Sequence, residues 1–179
     1  MAENRTLFLD RDGIINRRIV DGYVTSIEQF EFKNDFLETM GRLSRSFKKI
    51  FVITNQQGVG KGIMTMAQVD AVHEYMCREL SARGIEITGV YVCPHLATEG
   101  CRCRKPRTGL AEQAKLDNPE IDFTNSVMIG DSLSDILFGR ACGMKTVFVN
   151  DSNIALTPDL LSSADIIVDS FAQLAAYNF

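Results

Sequence analysis

Short apolar runs rich in Val, Ile and Phe recur along the chain at 7–9, 50–53, 90–92, 127–129, 146–149 and 166–168. Each is too short for a helix and suits a buried strand. Between several of them the apolar positions take up helical spacing. From about 35 to 47, Phe36, Leu37, Met40 and Leu43 share one face. From about 66 to 83, Val69, Val72, Met76 and Leu80 do the same, and Gly84 ends the run. A third helix is predicted from near 109, and a fourth over 133–142, stopped by Gly143. Strand alternating with helix predicts a Rossmann-like α/β fold, a mainly parallel sheet with helices on both faces. No repeat, low-complexity tract or Pro/Gly/Ser-rich linker interrupts the pattern, so residues 1–179 are expected to form a single domain.

In open parallel sheets, ligands bind beyond the carboxyl ends of the strands. Those positions here hold Asp10 and Asp12, then Thr54 and Asn55, then Cys93 and His95, then Asp131. Four predicted strands thus end in polar or metal-capable residues, and this convergence is the strongest pattern in the chain.

Composition narrows the partners. With 179 residues and 45% hydrophobic content, the chain can bury a core without disulfides. The net charge of −4 and a pI near 5.2 argue against a sequence-independent nucleic-acid binder. No apolar run is long enough to span a membrane. The opening MAENRTLFLD carries no leader signal. A cytoplasmic protein with neither nucleic-acid nor membrane partners is expected.

Asp10-Arg-Asp12-Gly13 places two carboxylates at a strand end before a glycine turn. Such oxygens suit Mg²⁺, which takes one or two carboxylates plus substrate phosphate oxygens. One carboxylate can attack phosphorus, and the other can exchange a proton with the leaving oxygen and with water. By itself the motif also fits an ordinary surface turn. Gly130-Asp131-Ser-Leu-Ser-Asp135 follows another strand. Asp131 is placed to reach a cation, and Asp135, one helical turn on, to support it. Caps of a helix N-terminus are the bland reading, and both can hold together. Thr54-Asn55-Gln56-Gln57 offers a hydroxyl and amides to a phosphoryl oxygen. The glycines at 58, 60 and 62 match no nucleotide loop and read as a mobile turn.

Three of the five cysteines fall within eleven residues, beside one of two histidines: Cys93-Pro-His95, then Cys101-Arg-Cys103. Three thiolates and an imidazole fill a tetrahedral zinc site, and a filled site is structural. A redox-active thiol cluster is the weaker alternative. Arg104-Lys105-Pro106 follows directly and suits a phosphate clamp. His73 lies in a helical stretch and reads as a surface or packing residue, while Cys77 and Cys142 read as buried small hydrophobes.

The order Asp-x-Asp-Gly, Thr-Asn, Lys-Pro, Gly-Asp-x-x-x-Asp resembles that of the haloacid dehalogenase-like phosphatases. The zinc loop at 93–103, ending in C-x-C-R-K-P, resembles the branch of heptose bisphosphate and histidinol-phosphate phosphatases. The resemblance runs from about residue 5 to 150. It implies that Asp10 is the nucleophile and a Mg²⁺ ligand. It implies that Asp12 is the general acid/base, with its carbonyl on the metal, and that Asp131 is the remaining protein ligand. Thr54 and Lys105 would stabilise the transferring phosphoryl group. Arg104 would recognise substrate, as would Asp21, Gly22, Tyr23, Thr54, Asn55, Gln56 and Gln57. Cys93, His95, Cys101 and Cys103 would hold Zn²⁺. No large cap domain fits in the chain, so the zinc loop and the 17–30 segment are expected to wall the pocket.

A small phosphorylated sugar, heptose 1,7-bisphosphate losing its 7-phosphate, is the expected substrate of a monomeric enzyme. Gly-Tyr-Val and Phe-Glu-Phe at 30–32 resemble the heptose enzymes, with Lys61, Arg104 and Arg17 or Arg18 free for a second phosphate. The five-residue gap between His95 and Cys101 resembles the histidinol enzymes, and Asp21 could face a cationic substrate. A non-catalytic zinc-stabilised interaction module is the alternative of a different class. The presence of Asp10, Asp12, Lys105 and Asp131 argues against it.

Overall fold

Six parallel strands form one sheet: β1 (Thr6–Leu9), β2 (Lys49–Asn55), β3 (Gly89–Cys93), β4 (Ser126–Gly130), β5 (Lys145–Val149) and β6 (Ile166–Val168). Their order in space is β3-β2-β1-β4-β5-β6. The chain builds outward from β1 in one direction, then returns to its other side with β4. The switch point therefore lies between β1 and β4, where such sheets bind ligands. This computed structural model describes residues 5–179; residues 1–4, which open the stretch expected to lack a leader, lie outside it.

Five α-helices are described: α1 (Asn34–Leu43), α2 (Met66–Ser81), α3 (Gly109–Asp117), α4 (Leu133–Cys142) and α5 (Pro158–Ser163). The alternation of side chains along β1 explains the layering. Leu7 and Leu9 face a core shared with Phe36 and Met40 of α1, Val72 and Met76 of α2, and Phe171 and Leu174 near the C-terminus. Phe8 points the other way, to Leu110 and Ala114 of α3 and Phe138 of α4. Helices cover both faces, as the sequence pattern predicts.

Local signals set the boundaries. Thr65 and Gln68 form a capping box that starts α2. Predicted to run to 83, α2 stops at Ser81 and turns through Gly84 at φ +74°. The apolar face predicted over 35–47 is α1 followed by a 3₁₀ turn at Ser44–Ser46. Helix α5 was not anticipated, although Thr157 as cap and Pro158 at the first position mark it. Cys77 and Cys142 are half-buried at the edges of the two cores and not fully inside. Among the described residues, no helix is long and apolar enough to cross a membrane.

Candidate active site

The loop from Asp10 to Asn16 is a tight turn at the end of β1. Asp10 continues the ladder, its N–H donating to the Ile129 carbonyl at 3.0 Å. The Arg11 carbonyl then accepts from the N–H groups of Ile14, Ile15 and Asn16 at 3.3, 2.8 and 3.2 Å. Gly13 sits at φ +94° and touches Asp131; a Cβ there would lie 1.9 Å from Asp131 Oδ2. Glycine is required on both counts. From β4, Gly130 does the same for the helix that follows, since a Cβ would meet Asp135 at 2.2 Å. The close approach of these backbones gathers the carboxylates.

Carboxylate oxygens of Asp10, Asp131 and Asp135 lie within 4.8 Å of one another. Lys105, almost wholly buried, spends its ammonium on Asp10 Oδ1 at 2.8 Å, Asp135 Oδ1 at 2.6 Å and the Ile53 carbonyl at 2.7 Å. Burial works against the Lys105 charge, but Asp10 and Asp135 outweigh it and raise its pKa. Asp135 also closes the capping box of α4 through Ser132. Burial, then the Asp10 charge, pushes Asp131 up to about 8. Burial and Asp135 push Asp10 to about 6. The cluster carries more negative charge than its buried surroundings accommodate, which is the chemistry of a divalent cation site.

Asp12 is arranged differently. Its carboxylate accepts from Arg11 Nη2 at 2.9 Å on both oxygens, from Asn16 Nδ2 at 2.9 Å and from Gln56 Nε2 at 2.8 Å. Burial opposes the Asp12 charge, yet Arg11 and these amides hold its pKa below the ordinary value. Its carbonyl is turned toward the carboxylate cluster. Arg18 Nη2 bridges that carbonyl, at 3.2 Å, and Asp131 Oδ1, at 2.8 Å. Both oxygens thus converge on one cation-sized point, so the residues fit Mg²⁺ through Asp10, Asp131 and the Asp12 carbonyl.

Thr54 is buried at the end of β2, where Gln56 Nε2 donates to its Oγ1 at 2.8 Å. Gln56, expected to meet substrate, is 1% exposed and turned inward to Thr54 and Asp12. Its place does not reach the cavity wall, because both amide contacts pull it beneath the loop. Asn55 clasps the Lys105 backbone, with its Nδ2 on the Lys105 carbonyl at 3.3 Å and its Oδ1 accepting from the Lys105 N–H at 3.1 Å.

A cavity of about 550 Å³ opens over these groups, lined among others by Asp10, Asp12, Thr54, Asn55, Gln57 and Lys105. Its outer wall comes from Arg18, Asp21, Gly22, Tyr23, Lys61 and Arg104. The 17–30 segment walls it as expected. The zinc loop itself does not; only Arg104 and Lys105, which follow it, reach the cavity. The third wall is the turn at 57–63, which the sequence presents as a mobile turn. Gly58 packs on Tyr23 and Met64, and Gly60 donates to the Pro94 carbonyl at 2.9 Å. Its glycines serve close packing against neighbours the sequence does not reveal. Lys61 stacks on Tyr23, 5.4 Å from the ring centre. Arg17 pairs with Glu31 away from this cavity.

Cys93, His95, Cys101 and Cys103 converge at the edge of the sheet. Sγ atoms are 3.1–3.6 Å apart, and His95 Nδ1 lies 3.1 Å from Cys103 Sγ and 3.7 Å from Cys93 Sγ. All five cysteines are free thiols. A tetrahedron with Zn–S bonds of ~2.3 Å has edges near these lengths. The donor set fits zinc with no open position.

Arg11 and Asn16 escaped the sequence reading, as did the contact of His73 with Arg11. An arginine between two aspartates reads as solvent-exposed, and nothing local says that it is 0% exposed. His73 is buried in α2, its Nε2 3.0 Å from Arg11 Nη1.

Residues 102–174 match the HAD-hydrolase-like family. The D-glycero-beta-D-manno-heptose-1,7-bisphosphate 7-phosphatase of Escherichia coli K12 is 34% identical over 175 residues, covering 94% of this chain and 90% of that protein. The alpha-anomer 7-phosphatase of Mycobacterium bovis is 42% identical over 130 residues, covering 73% and 68%. A crystal structure of the D,D-heptose 1,7-bisphosphate phosphatase of B. bronchiseptica, complexed with magnesium and phosphate, superimposes with a TM-score of 0.81 at 25% identity, covering 96% of each chain.

Proposed function

The chain belongs to the haloacid dehalogenase-like phosphatases, and on that premise we propose that it removes the 7-phosphate of D-glycero-D-manno-heptose 1,7-bisphosphate through an aspartyl-phosphate on Asp10. The observation that carries the substrate is the pair of cationic zones in one cavity. Lys105 is committed to Asp10 at the floor. Lys61 and Arg104 stand on the wall, and Arg104 Nη1 is buried without a hydrogen-bond partner among the described residues. A substrate with an anion at each end matches both zones. The named relatives add their weight, since they act on this bisphosphate by name.

Asp10 attacks phosphorus, and the bond to the sugar oxygen breaks as Asp12, which enters the step protonated against the pull of Arg11, gives that oxygen a proton. Asp12 then takes a proton from the water that attacks the aspartyl-phosphate, releasing phosphate and restoring Asp10. Thr54 and Lys105 donate to the phosphoryl oxygens. Mg²⁺ on Asp10, Asp131 and the Asp12 carbonyl, when bound, supplies positive charge to the phosphoryl group. Cys93, His95, Cys101 and Cys103 would hold a zinc ion, which would fix the chain that leads into Arg104 and Lys105.

Asp21 on the cavity wall keeps histidinol phosphate as the second reading. Comparison of kcat/KM for the two compounds decides between them. The heptose bisphosphate is expected to be preferred. A preference for histidinol phosphate would overturn the substrate and leave the phosphatase in place.

A further inference from the structure

We infer that Arg11 and His73 are positioning residues for the proton-transferring Asp12, joined to it in one buried chain that requires a neutral acceptor at the His73 Nε2 position. The inference rests on the acid role of Asp12 proposed above.

Arg11 is fully buried. One of its terminal nitrogens, Nη2, donates to both Asp12 oxygens at 2.9 Å. The other, Nη1, meets His73 Nε2 at 3.0 Å. Guanidinium has donors only, so His73 Nε2 must accept, and the imidazole must be neutral with its proton on Nδ1. Arg11 Nε has no partner among the described residues. The guanidinium is therefore held by its two ends alone: the Asp12 carboxylate and one ring nitrogen from the middle of α2.

Two consequences follow. Removing the acceptor leaves a second buried donor of Arg11 without a partner, which is costly enough to displace it. Arg11 also fixes the plane of the Asp12 carboxylate, with Asn16 and Gln56 completing the hold. A displaced Arg11 thus turns Asp12 away from the leaving oxygen, although His73 never touches substrate. Proton transfer depends on placement within hydrogen-bond reach, so the loss should follow the need for a proton. An alkyl alcohol leaving group needs one as it departs. An activated aryl leaving group needs it less.

The two amide variants separate placement from bulk. The Gln side chain can bring a carbonyl to the position of His Nε2, whereas the shorter Asn side chain stops near Nδ1. The test measures the phosphorylation step by burst kinetics in His73→Gln, His73→Asn and Asp12→Asn, on an alkyl and an aryl phosphomonoester with Mg²⁺. The alkyl-to-aryl rate ratio should fall roughly ten-fold or more in His73→Asn, part of the roughly 10²–10⁴-fold contribution of general acid catalysis. It should return to within about two-fold of wild type in His73→Gln, with KM unchanged in both. A merely structural role would lower the melting temperature of either variant and leave that ratio alone. An unchanged ratio in His73→Asn, or an equal fall in both variants, overturns the inference. Asp12→Asn keeps the two ideas apart. If it shows no selective loss on the alkyl ester, the acid role itself is wrong; if it does and the His73 variants do not, only the positioning chain is.

Discussion

Single side chains in this protein are set by neighbours far away in sequence. Asp10 and Lys105 are 95 residues apart and form a buried pair at 2.8 Å. Asp10→Asn should lose the nucleophile and, with it, essentially all phosphate release, measured in protein shown to be free of wild type. Near-normal turnover by that variant would sink the nucleophile assignment. His73 makes a prediction about pH. Burial, then the Arg11 charge, lowers its pKa from 6.5 to about 3. Between those values the unfolded chain binds a proton that the folded protein refuses. Stability supplied by the neutral imidazole is therefore complete above pH 6.5 and drains away as pH falls toward 3, at up to about 1.4 kcal/mol per pH unit. His73→Gln cannot titrate and should unfold in urea with a shallower acid slope than wild type over that window. Equal slopes would show that His73 is protonated in the folded state.

At the scale of elements, the loop between β3 and α3 carries the metal-capable side chains first and the cavity-lining Arg104 and Lys105 second. Cys101→Ser removes one of the four donors of the proposed zinc site and should loosen the path into Arg104 and Lys105. The expected result is zinc content falling below one per chain, a lower melting temperature, and a raised KM for the phosphate ester. Full stability and activity in protein shown to lack zinc would contradict a structural role. The convergence of this loop's four donors was legible in the sequence because they sit within eleven residues and carry their own chemistry. Helices α1 and α2 were legible because four apolar positions each repeat at helical spacing. The turn at 57–63 was not. Its packing depends on Tyr23 and Pro94, which lie tens of residues away on either side. Gln56 was misplaced for a related reason: an amide at a strand end looks available until its two partners are known.

The whole molecule is a parallel sheet whose switch point holds an excess of buried negative charge. Strand ends were visible along the chain, but the order that sets β4 beside β1, and so Asp131 beside Asp10, exists only after folding. That placement has a measurable cost. Burial and the Asp10 charge raise Asp131 from 3.8 to about 8, so the metal-free folded protein keeps a proton that the unfolded chain releases. Stability of the metal-free protein must then fall as pH rises from about 4 to 8, the reverse of the His73 effect. Asp131→Asn removes the titrating group and retains the shape. In chelated protein it should raise the urea midpoint, by an amount that grows between pH 5 and 8 and reaches on the order of 2 kcal/mol at the upper end. Saturating Mg²⁺ should reverse the comparison, because a cation bound only by the folded state stabilises wild type and the variant has lost one of its ligands. A variant no more stable than wild type at pH 8 without metal would mean that Arg18 and Lys105 already neutralise the cluster. The site would then be balanced without a divalent ion, and the case for Mg²⁺ at Asp10 and Asp131 would fail with it.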